Sequence, residues 1–225
     1  RGVALEETGF AEASERAAVK ARAGWKGSGE QSRSEYERIL QTHPGMRSIF
    51  LGYQRGETET KIDLVLRYRA GAQGTLREVG EAAELAPGDE GELVLGRTPF
   101  YPEGGGQVGD TGLLLDDVKD KILAEILDTQ RPHPELIVHK VRAKSTLRPM
   151  MKVRARIDAE KRRTTAYHHT ATHLLNEALR RVLGDSVRQA GSLVAPDRLR
   201  FDFTHPKAVS DAELAELTRI VNEAI

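Results

Sequence analysis

Between Ser48 and Ile157 the chain breaks into short, often alternating apolar runs: "SIFLGY", "TKIDLVLRY", "EGELVLGRT", "KILAEILDT", "ELIVHKVR" and "MKVRARI", separated by Gly, Pro and Asp. Runs of that length and punctuation predict an antiparallel sheet curled into a small barrel. The pattern then switches. Asp158 can cap a long helix running to Leu183, with Gly184 placed to end it. "VRQAGSLVA" and "LRFDFTH" return to strands, with Leu199, Phe201 and Phe203 alternating with Arg200, Asp202 and Thr204. "SDAE" at 210–213 is a capping box opening a last amphipathic helix. Ahead of the barrel, residues 3–23 read as a charged helix with Phe10, Ala13 and Ala17 on one face. "GWKGSGEQS" breaks it, and a second helix is expected over 33–42. The expected fold is therefore α+β: a helical segment over 1–45, a β-barrel over 46–157, and an α/β subdomain over 158–225.

Bulk properties narrow the partners. Hydrophobic residues make up 39% of the 225, enough for a globular core. No apolar run approaches the roughly 18 residues of a membrane span, and no signal peptide is evident. The chain opens on Arg1 rather than Met, so an internal piece of something longer is expected. Zero cysteines exclude a disulfide framework. Any metal site must then be built from His, Asp or Glu. Basic and acidic residues balance at 34 each, yet Lys140, Arg142, Lys144, Arg148, Lys152, Arg154, Arg156, Lys161, Arg162 and Arg163 crowd one stretch against only Asp158 and Glu160. Such a block is either a solvated face or a surface for a polyanion.

Two stretches carry chemistry. "AYHHTATHLL" places three of the seven histidines within one predicted helix. At roughly 100° per residue, His169 and His173 share a face, opposite the stripe formed by Ala171, Leu175, Ala178, Leu179 and Val182. His168 falls on that stripe. A helical histidine is ordinarily a satisfied core residue or a solvated one, but HxxxH is also a recurrent metal-ligand spacing. The zinc-protease signature is excluded, because Thr170 stands where HExxH needs its glutamate. Zinc would need a third protein ligand; His205 is the nearest downstream candidate, though a His closing a strand is usually a surface residue. The second stretch is "TPFYPEGGGQVGDTG". It matches neither the Walker A nor the dinucleotide pattern, so a tight turn or a close backbone approach explains its glycines.

Together, "RTPFYPEGGGQVGDTG" and the later "HHTATHLLNEALRRVLGDSVRQAGSLVAPDRLRFDFTH" closely resemble the editing domain of the alanyl-tRNA synthetase family, over roughly residues 48 to 225. The helices before Ser48 are similar to the end of that family's tRNA-recognition segment. The resemblance implies hydrolysis of wrongly charged tRNA(Ala), bearing serine or glycine. An alanine pocket cannot exclude glycine by shape and rejects one added hydroxyl only imperfectly, so a second, hydrolytic site supplies the discrimination. It implies zinc held by His169 and His173 together with a later Cys and His, Thr172 sensing the serine hydroxyl, Gln189 lining the pocket, and Gly104, Gly105 and Gly106 supporting it from the barrel. It also implies the tRNA(Ala) acceptor end as partner, no membrane, and a cytoplasmic location. ATP-dependent alanine activation would belong to the parent enzyme outside this region. With no cysteine and only the first pair of ligands, the expectation is a zinc half-site and weak editing by this chain alone. A free-standing trans-editing protein, a non-catalytic tRNA-binding module and a purely structural barrel are the rival readings. The related threonyl editing domain shares HxxxH but fits "GGGQVGD" less well.

Overall fold

The structure, a computed structural model, describes residues 29–69 and 78–224. The helix expected over 3–23 lies outside the described residues. Helix α1, Gly29–Thr42, begins four residues before the expected start. It ends where Thr42 Oγ1 donates back to the Ile39 carbonyl (2.9 Å) and Pro44 and the positive-φ Gly45 follow.

Six strands close the barrel: β2 (Glu57–Arg69), β4 (Glu90–Leu95), β6 (Gly112–Asp116), β7 (Ile122–His133), β8 (Leu136–Ala143) and β9 (Lys152–Ile157). Their order is β2-β4-β8-β7-β6-β9 and back to β2, antiparallel throughout. The length of β2 makes closure possible. Its Glu57–Lys61 half pairs with β9, and the same edge further on, Leu66–Arg69, pairs with the short β3 (Glu78–Glu81). "SIFLGY" yields less strand than expected. Only β1, Ile49–Phe50, pairs, in parallel with β5 (Arg97–Thr98), and the chain then turns, with Gln54 N–H bonding the Leu51 carbonyl.

Side-chain alternation explains why these strands are apolar on both faces. Ile62, Val65, Leu93, Leu95, Leu114, Ile126, Val141 and Val153 fill the barrel with Phe100. Leu64, Leu66, Val94, Leu136 and Val138 point outward, where α1 covers them with Tyr36 and Ile39. Each such buried side chain contributes about 1.5–3 kcal/mol. Glu92 shares that outer face. Its carboxylate accepts from Tyr36 Oη (2.5 Å) and Tyr68 Oη (3.0 Å), and burial pushes its pKa up. His139 lies inside the barrel, fully buried, between the Leu93 carbonyl (3.0 Å) and Thr98 Oγ1 (2.7 Å).

Beyond the barrel come helix α2 (Ala159–Leu183), strands β10 (Arg188–Val194) and β11 (Leu199–Thr204), and helix α3 (Asp211–Glu223). The two strands form their own antiparallel ladder. They share a small separate core, in which Ala178, Leu179, Val187 and Leu217 are buried against Leu175, Phe201, Phe203 and Ile220. Asp158 caps α2, accepting from Lys161 N–H, and the full capping box between Ser210 and Glu213 opens α3.

Candidate functional site

One turn into α2, Arg162 fixes the helix to the barrel. Its guanidinium donates to the Asp110 carboxylate (Nε to the two oxygens, 3.0 and 2.9 Å, with Nη2 also bonded), to the Gly52 carbonyl (3.0 Å) and to the Pro99 carbonyl (2.9 Å). Asp110 is buried and also accepts from Tyr101 N–H (2.7 Å). Residues 99–110, which span the glycine-rich stretch, are thereby stretched between the barrel and the base of α2.

The tip of that loop leans on the second ladder. Gly104 and Gln107 bond each other's backbones, closing a turn through Gly105 and Gly106 at φ +60° and +83°. Gly106 C=O then accepts from Val194 N–H (2.8 Å), and Val108 N–H donates to Val194 C=O (3.0 Å), so the loop lies along β10. A Cβ on Gly106 would sit 2.3 Å from Ser192 Oγ and 2.9 Å from its carbonyl oxygen. Of the two explanations open at the sequence level, a turn and a close approach, both hold, at neighbouring residues.

From this loop Gln107, 8% exposed, reaches α2: its Oε1 lies 2.8 Å from His169 Nδ1. His169 and His173 face each other with ring centroids 5.0 Å apart and planes at 37°. His169 is half-buried and His173 exposed. His168, on the apolar side, bonds the Ala195 carbonyl (2.6 Å), a satisfied histidine tying α2 to the end of β10. Thr172 is buried and donates to the His168 carbonyl (2.8 Å). Gln189 is exposed on β10, its Nε2 donating to Ser192 Oγ (3.1 Å) beside the Gly106 contact. His205 is turned to its own loop, bonded to the Lys207 carbonyl (2.7 Å). The structure thus gathers the histidine pair, Gln107 and the glycine turn, while His205 stays apart.

As a metal site, the pair supplies two imidazoles on adjacent turns. Among the described residues no group of three or more His, Cys, Asp or Glu could hold an ion. Two imidazoles would fill two of the four positions of a tetrahedral zinc set. Gln107 and Ser192 were not singled out by the sequence; the one available signal was a long amide directly after three glycines.

The basic block is largely neutralised. Lys140 pairs with Asp128 (2.9 Å), Arg142 with Glu90 (2.9 Å), Lys144 with Glu125 (3.0 Å), Arg148 with Glu84 (2.7 Å) and Arg154 with Glu57 (3.0 Å) and Asp120. Arg156, Lys161 and Arg162 likewise have acidic partners. Paired charges cancel within a Debye length of about 8–10 Å, so little of this block's field reaches a distant polyanion.

The family model for tRNA synthetases class II (A) matches residues 1–161. The alanine–tRNA ligase of Bradyrhizobium diazoefficiens is 42% identical over 226 aligned residues, spanning 100% of this chain and 24% of that protein. The alanine–tRNA ligase of Nitratidesulfovibrio vulgaris is 42% identical over 227, again 100% of this chain and 24% of its own length. The chain spans about a quarter of the length of these curated relatives. His169 and His173 lie beyond the stretch matched by the family model but within both pairwise alignments.

Proposed function

Because this chain belongs to the class II tRNA synthetase family, we propose that it forms the editing part of an alanine–tRNA ligase, hydrolysing the ester of Ser-tRNA(Ala) and Gly-tRNA(Ala). The observation that carries this reading is the 2.8 Å contact between Gln107 and His169, which brings the glycine-rich stretch and the HxxxH stretch to one place. The names of the two relatives, both alanine–tRNA ligases, support tRNA(Ala) as the tRNA. The reaction consumes one water: the ester carbon gains a hydroxyl, and the terminal ribose leaves as its alcohol with the proton. Thr172 spends its hydroxyl hydrogen on the His168 carbonyl and keeps lone pairs, so its oxygen can accept from a seryl hydroxyl. A glycyl ester offers no such donor and is admitted by its small size. His169 and His173 would hold zinc, which when bound supplies Lewis acidity at the ester or orients the substrate. Gln189, exposed on β10, would line the substrate pocket, and the acceptor end of tRNA(Ala) is the partner. Alanine activation with ATP belongs to the parent enzyme, which works in the cytoplasm. Among the described residues no helix is long and apolar enough to cross a membrane.

The neutralised basic block weighs against the binding-module alternative, which needed those charges free. The deciding experiment is deacylation of Ser-tRNA(Ala) by a full-length alanine–tRNA ligase carrying this segment, beside this chain alone. The full-length protein is expected to release serine, His173→Ala to lose at least about 100-fold in rate, and the isolated segment to be slow. Undiminished hydrolysis in the His173→Ala protein would remove the reading.

A further inference from the structure

We propose that Gln107 is a positioning residue that sets the tautomer of His169, holding hydrogen on Nδ1 and leaving the Nε2 lone pair free as a donor to a divalent cation. A neutral imidazole carries one N–H and one lone pair. The partner of His169 Nδ1 is an amide oxygen, which has no hydrogen to give, at 2.8 Å. The hydrogen therefore resides on Nδ1, and Nε2, which has no hydrogen-bond partner among the described residues, belongs to a ring whose centroid lies 5.0 Å from that of His173 with the planes at 37°. The amide is fixed where it is. Gln107 is 8% exposed, its backbone is bonded both ways to Gly104, and Val108 is bonded to Val194. The residue immediately before His169 provides an internal comparison. His168 is held through its own Nδ1 by the Ala195 carbonyl, a backbone group of the same subdomain. His169 is instead held by a side chain from the barrel. Orientation of a ligating imidazole through its second nitrogen ordinarily changes metal affinity about 10- to 100-fold.

The tautomer follows from the amide oxygen being the atom that faces Nδ1, and its meaning for metal binding rests on the editing reading. The test is a long-range nitrogen–proton correlation spectrum of the metal-free chain, with labelled histidine and His169 assigned through His169→Asn. The expected result is the Nδ1–H form of His169 in the unsubstituted chain and in Gln107→Glu, which keeps the acceptor. Gln107→Leu should shift the ring toward the Nε2–H form. An Nε2–H ring in the unsubstituted chain, where the amide NH2 would be the donor, overturns the proposal without need of any variant. So does a Gln107→Leu spectrum unchanged at His169. An Nδ1–H ring with no Ser-tRNA(Ala) hydrolysis in the full-length enzyme would keep the positioning role and remove the editing reading. Hydrolysis with an Nε2–H ring would do the reverse.

Discussion

Gly104, Gly105 and Gly106 are one motif in the sequence and three different residues in the fold. Gly105 needs only its positive φ, with nothing within 4 Å of a built Cβ. Gly106 needs both its φ of +83° and the space that Ser192 occupies. Gly104 has ordinary surroundings, with the Pro102 carbonyl oxygen 3.8 Å away. Alanine at 105 should therefore cost ~1–2 kcal/mol of unfolding free energy. At 106 it should cost ~2–4 kcal/mol and push the loop off β10. Denaturant unfolding of the two variants measures this directly, and equal costs would mean that the Ser192 contact is unimportant. Periodicity reveals which residues share a helix face, so the histidine pair was legible. It does not reveal that Gln107 stands against His169 or Ser192 against Gly106, because those contacts join segments far apart in the chain.

At the scale of elements, Arg162 makes more bonds across the seam between α2 and the barrel than the Gln107–His169 and Lys161–Thr111 contacts beside it. Replacing Arg162 by Met leaves Asp110 buried with its charge uncompensated and frees two carbonyls, an expected loss of ~3–5 kcal/mol. Lys144→Met breaks an exposed pair with Glu125 and should cost at most ~1 kcal/mol. Thermal or urea unfolding of both should separate them; similar losses would show that Arg162 is not the anchor. Element boundaries were legible where local chemistry sets them, as with Asp158 and Gly184 around α2 or the Ser210 box of α3. They were not where pairing sets them. β6 is a short "GLLLD" run directly behind the glycines, and β3 is four residues long; both exist because β7, β9 and β2 offer edges. The basic block was ambiguous in the sequence for the same reason. Its carboxylate partners Glu57, Glu84, Glu90, Asp110, Glu125 and Asp128 come mostly from neighbouring strands and loops, remote in sequence.

For the whole molecule, the buried groups of the barrel set a dependence on pH. Burial pushes the His139 pKa down from 6.5 to about 4. The unfolded chain then takes up a proton before the folded one does. Stability from this residue is complete above pH 6.5 and is lost as pH falls from 6.5 through 4, by up to ~3 kcal/mol. Glu92 acts with the opposite sign: its raised pKa costs stability as pH rises through the folded value, and acidification restores it. The difference between the original chain and His139→Asn isolates the first contribution. That difference in unfolding free energy should shrink between pH 6.5 and 4, and parallel profiles would contradict the buried neutral imidazole. Barrel closure also has a consequence for how copies of the chain meet. Strands β4 and β6 to β9 have a neighbour on each side, so they offer no template to a passing strand. The two-stranded ladder of β10 and β11 cannot protect itself in this way. Near Val194, its β10 border is covered by the backbone of Gly106 and Val108. The loop that carries Gln107 is therefore also a guard against edge-to-edge aggregation, and a change that loosens it to alter chemistry exposes a sticky border as well.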